Sequence, residues 1–185
     1  MIKKILYTLI ILLTFLSCNL QKEFYESGNL KGKGKFENGL KSGKWKLFYE
    51  TGELYEMGNY FNGKEIGEWK IYHENGKIKQ FGSFNNGKQN GEWNFFYSNG
   101  NQQGSGHLED GRKTGIWKWY FENGNIFTER KWKDGKLVEI IICVDGKGND
   151  LDKGTYKNGL GTVHIYDVNG KLLETSYFEK GEFKN

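Results

Sequence analysis

Proline is missing from this chain, and cysteine nearly so, with two in 185 residues. Without proline there are no rigid proline linkers, and the 27 glycines are left as the main turn formers. Cys18 lies at the end of a leader, so its modification would leave Cys143 without a partner and exclude an intrachain disulfide framework. Cys143 stands in the apolar run 140–144, which favours a buried small side chain over a reactive nucleophile.

Strong charge of one sign is also lacking. The formal net charge is +4, and Lys3 and Lys4 of the leader contribute two of these charges, so the rest of the chain is nearly neutral. Lysines and glutamates alternate instead of clustering, which argues against the basic patch that nucleic-acid binding normally requires. We therefore expect no nucleic-acid partner.

The leader, residues 1–17, has the three parts of a secretion signal. Lys3 and Lys4 come first, an apolar run over residues 5–16 follows, and the small residue Ser17 precedes Cys18. A helix that crosses a bilayer needs roughly 20 apolar residues, more than this run provides. The pattern predicts a signal peptide, helical in its apolar part, rather than a permanent membrane span.

The residues around Cys18 indicate what happens after export. Phe15-Leu16-Ser17-Cys18 resembles the lipobox of bacterial lipoproteins, although Phe15 and Leu16 occupy places where Leu and a small residue are more usual. This predicts lipidation at Cys18, with residues 18–23 as the lipidated cysteine and a short tether, and an anchor in the outer membrane or at the cell surface rather than in the inner membrane. The alternative is ordinary cleavage to a soluble exported protein with a free Cys18 thiol.

Glycine recurs with a period of 24 residues, which is the main signal in the sequence. One series comprises Gly28, Gly52, Gly76, Gly100, Gly124 and Gly148; a second comprises Gly39, Gly63, Gly87, Gly111, Gly135 and Gly159. A third series (Gly43, Gly67, Gly91, Gly115) stands two residues before Trp45, Trp69, Trp93 and Trp117 and then lapses. We assign residues 24–143 to about five repeat units and residues 144–185 to degenerate C-terminal repeats that act as a cap.

Each unit alternates apolar and polar residues on both sides of a turn, and no part of the repeat region has helical periodicity. Asn-Gly pairs at 75–76, 99–100 and 123–124 predict two-residue type I′ hairpin turns, whereas residues 86–91 predict a longer return connection. The predicted fold is all-β: an elongated, single-layer antiparallel β-meander of repeated hairpins, preceded by the signal helix.

Alternation places two aromatic rows on opposite faces of this sheet. The first row is Trp45, Trp69, Trp93 and Trp117, which we interpret as the repeat core, since a single sheet has no other, although tryptophan rings also stack on sugars. The second row is Phe48, Tyr72, Phe96 and Tyr120, which lies on a mixed polar and apolar face. This second row is the candidate binding face.

Residues suited to catalysis or metal binding do not converge in the repeat pattern. The three histidines fall at different places in the unit, so no metal site is expected. Glu26, Glu50, Glu74 and Glu122 do align, but a charge-paired surface explains them more simply than acid–base chemistry. Serine-nucleophile and phosphate-loop motifs are missing. We expect no enzyme activity and no cofactor.

The unit Asn-Gly-Lys-x-x-Gly-x-Trp-x-x-(Tyr/Phe)-x-x-x-Gly resembles the variant MORN repeat of exported bacterial proteins. The resemblance implies scaffolding, or contact with lipid or protein, and for some relatives the antitoxin half of a toxin–antitoxin pair. The resulting hypothesis is a membrane-anchored lipoprotein of the cell envelope that acts as a non-catalytic binding or scaffold module for a protein or glycan. An antitoxin-like module that neutralises a toxin and, less favoured, a cell-wall hydrolase are the alternatives.

Overall fold

A computed structural model describes residues 20–184, which form fourteen β-strands. The strands are β1 (Gln21–Phe24), β2 (Leu30–Glu37), β3 (Leu40–Phe48), β4 (Leu54–Phe61), β5 (Lys64–Tyr72), β6 (Ile78–Asn85), β7 (Lys88–Phe96), β8 (Gln102–Glu109), β9 (Arg112–Tyr120), β10 (Ile126–Lys133), β11 (Lys136–Cys143), β12 (Gly161–Tyr166), β13 (Leu172–Glu179) and β14 (Glu182–Lys184). Within this described part, no helix has the length and apolar character that crossing a membrane requires.

Strands β1 to β11 pair in chain order as one antiparallel sheet, and β12 to β14 form a second, three-stranded sheet. The predicted all-β, single-layer meander is confirmed. Its predicted signal helix, like Cys18, lies outside the described residues. Strand β1 begins at Gln21, so the sheet starts within the segment that was assigned to the tether.

Two kinds of turn alternate along the sheet, and the sequence-based prediction assigned the tight turn to the wrong end of the unit. Asn86 and Gly87 both have positive φ, 53° and 82°, as a two-residue type I′ turn requires. In the other connection the His73 N–H donates to the Lys77 carbonyl at 2.8 Å, which leaves a three-residue loop, 74–76. Within this connection the Gly76 N–H donates to the His73 carbonyl at 2.9 Å, and only Gly76 has positive φ. Asn75 instead accepts a hydrogen bond from the Lys77 N–H at 3.1 Å. Asn-Gly is compatible with both turn types, so the strand register, which the dipeptide does not encode, decides between them.

The regular units bury one tryptophan each by laying its ring across a glycine of the preceding strand. A Cβ atom at Gly82 would overlap the Trp93 ring, which is 0% exposed, and the indole N–H donates to the Ser83 carbonyl at 3.2 Å. Gly91, with φ of 82°, sits in the bulge that brings the Trp93 ring over Gly82. The same arrangement recurs for Trp45 on Gly34, Trp69 on Gly58 and Trp117 on Gly106.

Rings from neighbouring strands interlock edge to face on the tryptophan side of the sheet, which we call the inner face. Tyr60 lies between Trp45 and Trp69, with centroid distances of 6.1 and 5.1 Å and nearly perpendicular planes. Phe84 lies between Trp69 and Trp93 in the same way, at 5.7 and 5.3 Å. Such pairs contribute about 0.5–1.5 kcal/mol each beyond burial, so a single layer gains a core without a second sheet.

The last strands of the large sheet depart from this pattern. Arg130 and Ile141 occupy the positions of the glycine and the tryptophan. Leu137 of β11 packs instead with Val163 and Phe178 of the small sheet, and its N–H donates to the Gly181 carbonyl at 2.8 Å. The small sheet thus covers β11. Cys143, 1% exposed, is buried as its apolar surroundings predict, and burial raises the pKa of its thiol.

Candidate binding face

The predicted second aromatic row lies on the side of the sheet away from the tryptophans, which we call the outer face. Its four side chains are half-buried and each ends the first strand of a hairpin: Phe48 ends β3, Tyr72 ends β5, Phe96 ends β7 and Tyr120 ends β9. The first row, Trp45, Trp69, Trp93 and Trp117, is at most 2% exposed. The two rows therefore differ in what they offer to a ligand.

Hydrogen bonds from the preceding repeat fix the backbone of the second row. The Tyr25, Tyr49 and Tyr97 hydroxyls donate to the Phe48, Tyr72 and Tyr120 carbonyls at 2.7, 2.6 and 2.7 Å. His73 takes the same role through Nε2, 2.9 Å from the Phe96 carbonyl. Burial raises the pKa of the Tyr49 and Tyr97 hydroxyls, so they remain donors at neutral pH. The row is thus held at a fixed spacing.

An open groove of about 540 Å³ runs beside the first two members of the row. Its lining includes a row of four side chains on neighbouring strands, each directly opposite the next: Lys33, Lys46, Met57 and Lys70. Leu20 lies at its N-terminal end. Met57 supplies an apolar floor, and the lysines supply the rim.

A second groove of about 390 Å³ continues the first across β5 to β7. Glu68 and Lys70 line both grooves, while Ile78, Phe81 and Asn94 belong to the second. The two together form one surface across β2 to β7, which we call the outer groove. The apolar side chains that line it include Leu20, Met57, Ile78 and Phe81.

The predicted aromatic row and the outer groove are in direct contact. Lys33 Nζ lies 5.4 Å from the Phe48 ring centroid, and the Tyr72 hydroxyl lies 3.5 Å from Met57 Sδ. Phe81 stacks on Phe96 at 5.8 Å. Phe48, Tyr72 and Phe96 therefore contact residues of the groove, although they are not among its lining residues.

The lysines of the groove are not neutralised by neighbours. Neither Lys46 nor Lys70 forms an ion pair with a described residue. Further along the sheet, Lys118 occupies the same position and pairs with Glu129 at 3.1 Å, because Glu129 stands where Met57 stands in the earlier unit. The groove thus carries an excess of positive charge, because four lysines (Lys33, Lys44, Lys46, Lys70) and two glutamates (Glu68, Glu92) line it.

Sequence reasoning missed Met57 and Phe81. They share one position of the repeat, but Ser105 and Glu129 occupy it in later units, so no periodic signal marks it. Only the strand register shows that these side chains lie between the lysines of neighbouring strands.

Among the other polar candidates, His107 lies beside the outer groove, because its partner Glu92 is a lining residue. His107 pairs with Glu92 at 3.0 Å, and His164 lies 3.4 Å from Asp152. In residues 20–184, no three histidine, cysteine, aspartate or glutamate side chains converge to hold a metal ion. The aligned glutamates Glu26, Glu50, Glu74 and Glu122 are exposed at the three-residue loops.

Four segments of the chain, residues 18–38, 41–62, 65–86 and 113–134, match the family model described as the MORN repeat variant. The first three contain most of the outer groove. Residues 87–112, between the matches, keep the same tryptophan-on-glycine geometry and the same tight turn at Asp110 and Gly111. No curated protein matches the chain.

Proposed function

We propose that this chain, which belongs to the MORN repeat variant family, is a binding module that holds a partner in the outer groove. MORN repeats generally serve as binding or scaffold modules and not as catalysts. The observation that carries the proposal is the groove itself, in which the half-buried apolar side chains Met57 and Phe81 lie on either side of Lys70, a lysine without an ion pair to a described residue. Exposed apolar surface with a polar rim is typical of an interaction site.

The partner is inferred from the chemistry of the groove. Met57 and Phe81 favour apolar side chains, while Lys33, Lys46 and Lys70 favour carboxylates. The proposed partner is an extended protein segment of the cell envelope that carries both apolar and acidic residues.

A lipid anchor on Cys18 is part of the proposal. It is supported by the signal-like residues 1–17 and by the lipobox-like sequence before Cys18. Leu20, two residues further on, lines the groove, so an anchored chain would present the groove near its membrane-proximal end. Metabolic labelling with a clickable fatty acid is expected to mark the wild type and not Cys18→Ala; an unlabelled wild type would remove the anchor from the proposal.

The groove is tested by a double substitution that copies a later repeat. Met57→Ser with Phe81→Ser introduces the residue that Ser105 already provides at this position, so the strands are expected to pair normally. Partners copurified from detergent-solubilised envelope are expected to be lost from the double variant.

The matched control is Ser105→Ala on the same face, beyond the groove, with thermal unfolding measured for both variants. A double variant that folds and retains every partner would contradict the proposal. Equal loss from the control would move the interaction away from the groove. Binding of purified envelope glycan without any protein partner would replace the proposed partner class.

A further inference from the structure

A lysine lies over an aromatic cluster on the inner face, at the end of the sheet away from the outer groove, and an arginine is its neighbour. Lys113 Nζ lies 4.8, 5.0 and 4.9 Å from the ring centroids of Trp117, Trp119 and Trp132. Arg130 pairs across the strands with Trp117, and its Nε–H donates to Thr128 Oγ1 at 3.3 Å. Burial lowers the pKa of Lys113, and the charge of Arg130 lowers it further.

The repeat provides an internal comparison three units earlier. Lys41 stands 72 residues before Lys113, and its Nζ lies 4.3 Å from the Trp45 centroid and 5.5 Å from that of Tyr60. Lys41 donates to the Glu23 carboxylate at 2.9 Å. Glu56 and Glu65 lie close by, since both raise the pKa of Tyr60. In this earlier unit the lysine is compensated by carboxylates of the chain itself.

Every one of these carboxylates is replaced around Lys113. The positions equivalent to Glu23, Glu56 and Glu65 are occupied by Phe95, Thr128 and Leu137, respectively. Arg130 stands for Gly58, which adds a second positive charge. Neither Lys113 nor Arg130 forms an ion pair with any residue in the range 20–184.

We propose that Lys113 and Arg130 form a binding site for the carboxylate of an acidic sugar. Beside Lys41 the Glu23 carboxylate meets the ammonium, whereas beside Lys113 the Phe95 ring stands at that position, against Trp117 and Trp119, and the chain supplies no carboxylate there. A guanidinium with an ammonium binds a carboxylate from a ligand by charge-assisted hydrogen bonds. Trp119 and Trp132 are half-buried, with Lys113 Nζ over both rings, so a bound sugar would contact the part of each indole that Lys113 leaves open. The site lies on the opposite face from the outer groove and does not depend on the function proposed for that groove.

The test uses two substitutions that copy neighbouring units. Lys113→Gln introduces the residue found at Gln89, and Arg130→Gly introduces the residue found at Gly106. Galacturonate and an oligogalacturonate are titrated into the full chain, with binding followed by calorimetry and by the NMR signals of the indole N–H groups. Each substitution is expected to weaken binding about tenfold or more, because each removes a charge-assisted hydrogen bond.

Lys41→Gln is the matched control, and it is expected to change the affinity by less than about twofold because Glu23 already occupies that lysine. Unchanged affinity in both Lys113→Gln and Arg130→Gly would overturn the proposal. Equal binding of neutral galactose would show that the carboxylate is not recognised. Binding of polyglutamate but not of galacturonate would overturn the assignment to a sugar. Folding of each variant is verified by its dispersed indole signals.

Discussion

Strands β2 to β9 differ from the pair β10–β11 in the side chains that occupy two equivalent positions of the repeat. In the earlier strands a tryptophan covers a glycine, as Trp93 covers Gly82. In the later pair Arg130 and Ile141 replace both partners, yet the tight turn at Asp134 and Gly135 keeps the same positive φ angles. The backbone repeat therefore persists after the side-chain pair that accompanies it is lost.

The two regions also differ in what covers them. The earlier tryptophans are buried by rings of adjacent strands, whereas Leu137 on β11 is buried by Val163 and Phe178 of the small sheet. Loss of the tryptophan-on-glycine pair thus coincides with packing by a second sheet. It also coincides with the cations Lys113 and Arg130, which form no ion pair with a described residue and which we propose as a carboxylate site.

Trp93→Ala is expected to reduce the stability more than any other substitution considered for these two regions. Truncation removes a fully buried indole that contacts Phe84 and Phe95, at a cost of about 3–5 kcal/mol in the free energy of unfolding. Ile141→Ala, at the equivalent position, removes a half-buried side chain and is expected to cost only about 1–2 kcal/mol. Urea unfolding of both variants measures the difference, and equal losses would mean that the two regions are stabilised alike.

Gly82→Ala is expected to cause the next largest loss of stability. The added methyl group would overlap the Trp93 ring, and overpacking of this kind costs about 1–3 kcal/mol. Arg130→Ala, at the matching position where a longer side chain already fits, is expected to change the stability less. Thermal unfolding compares them; a Gly82→Ala protein as stable as wild type would show that the ring moves aside freely.

The sequence was sufficient to predict the meander because period-two alternation and three glycine series repeat in register. It did not decide the turn types. Asn-Gly occurs at positions 75–76 and 86–87 alike, and the difference between them depends on how the strands pair, which is a long-range property.

Prediction of the sites was limited for the same reason. Phe48, Tyr72, Phe96 and Tyr120 repeat every 24 residues and were found by alternation. Lys46 and Lys70 of the groove also share one position of the repeat, but other residues that give the two faces their chemistry do not repeat. Met57 and Phe81 in the groove, and Arg130 beside Lys113, are differences between units, and their significance depends on neighbours that only the register brings together.

Tyr97→Phe examines the hydrogen bonds between repeats. Loss of the hydroxyl that donates to the Tyr120 carbonyl is expected to cost about 1 kcal/mol. Phe121, the equivalent residue in the next unit, shows that the ring alone fits this position. Tyr72→Phe is the control, since it removes only a weaker contact to Met57 Sδ. Chemical denaturation should show a smaller loss of stability for Tyr72→Phe than for Tyr97→Phe.

Lys113→Gln tests how the charge of Lys113, which no carboxylate of the described chain compensates, changes the stability with pH. Burial and Arg130 hold the pKa of Lys113 below its ordinary 10.5, so the folded chain binds this proton less tightly than the unfolded chain. The wild type should therefore gain stability relative to Lys113→Gln as the pH rises from the lowered pKa toward 10.5. Denaturation across this range measures the slope, with Lys70→Gln as the control for loss of one exposed lysine. A slope of opposite sign would require an unseen carboxylate near Lys113.

Glu56→Gln tests the pH dependence of stability near Lys41, the lysine that carboxylates of the chain compensate, and does so at acid pH. Burial raises the pKa of Glu56 above 4.5, Glu65 raises it further, and Lys41 opposes both. The folded chain consequently holds this proton more tightly than the unfolded chain, and the wild type should lose stability relative to Glu56→Gln as the pH rises through 4.5 to the folded-state pKa. Gln80 occupies the same position in the next unit, so the amide is expected to fit. Unfolding measured from pH 4 to 7 gives the sign directly. If the wild type instead gained stability relative to Glu56→Gln as the pH rose, the attraction between Lys41 and the ionised Glu56 would exceed the cost of burying Glu56, and Glu56 would compensate the charge of Lys41 together with Glu23.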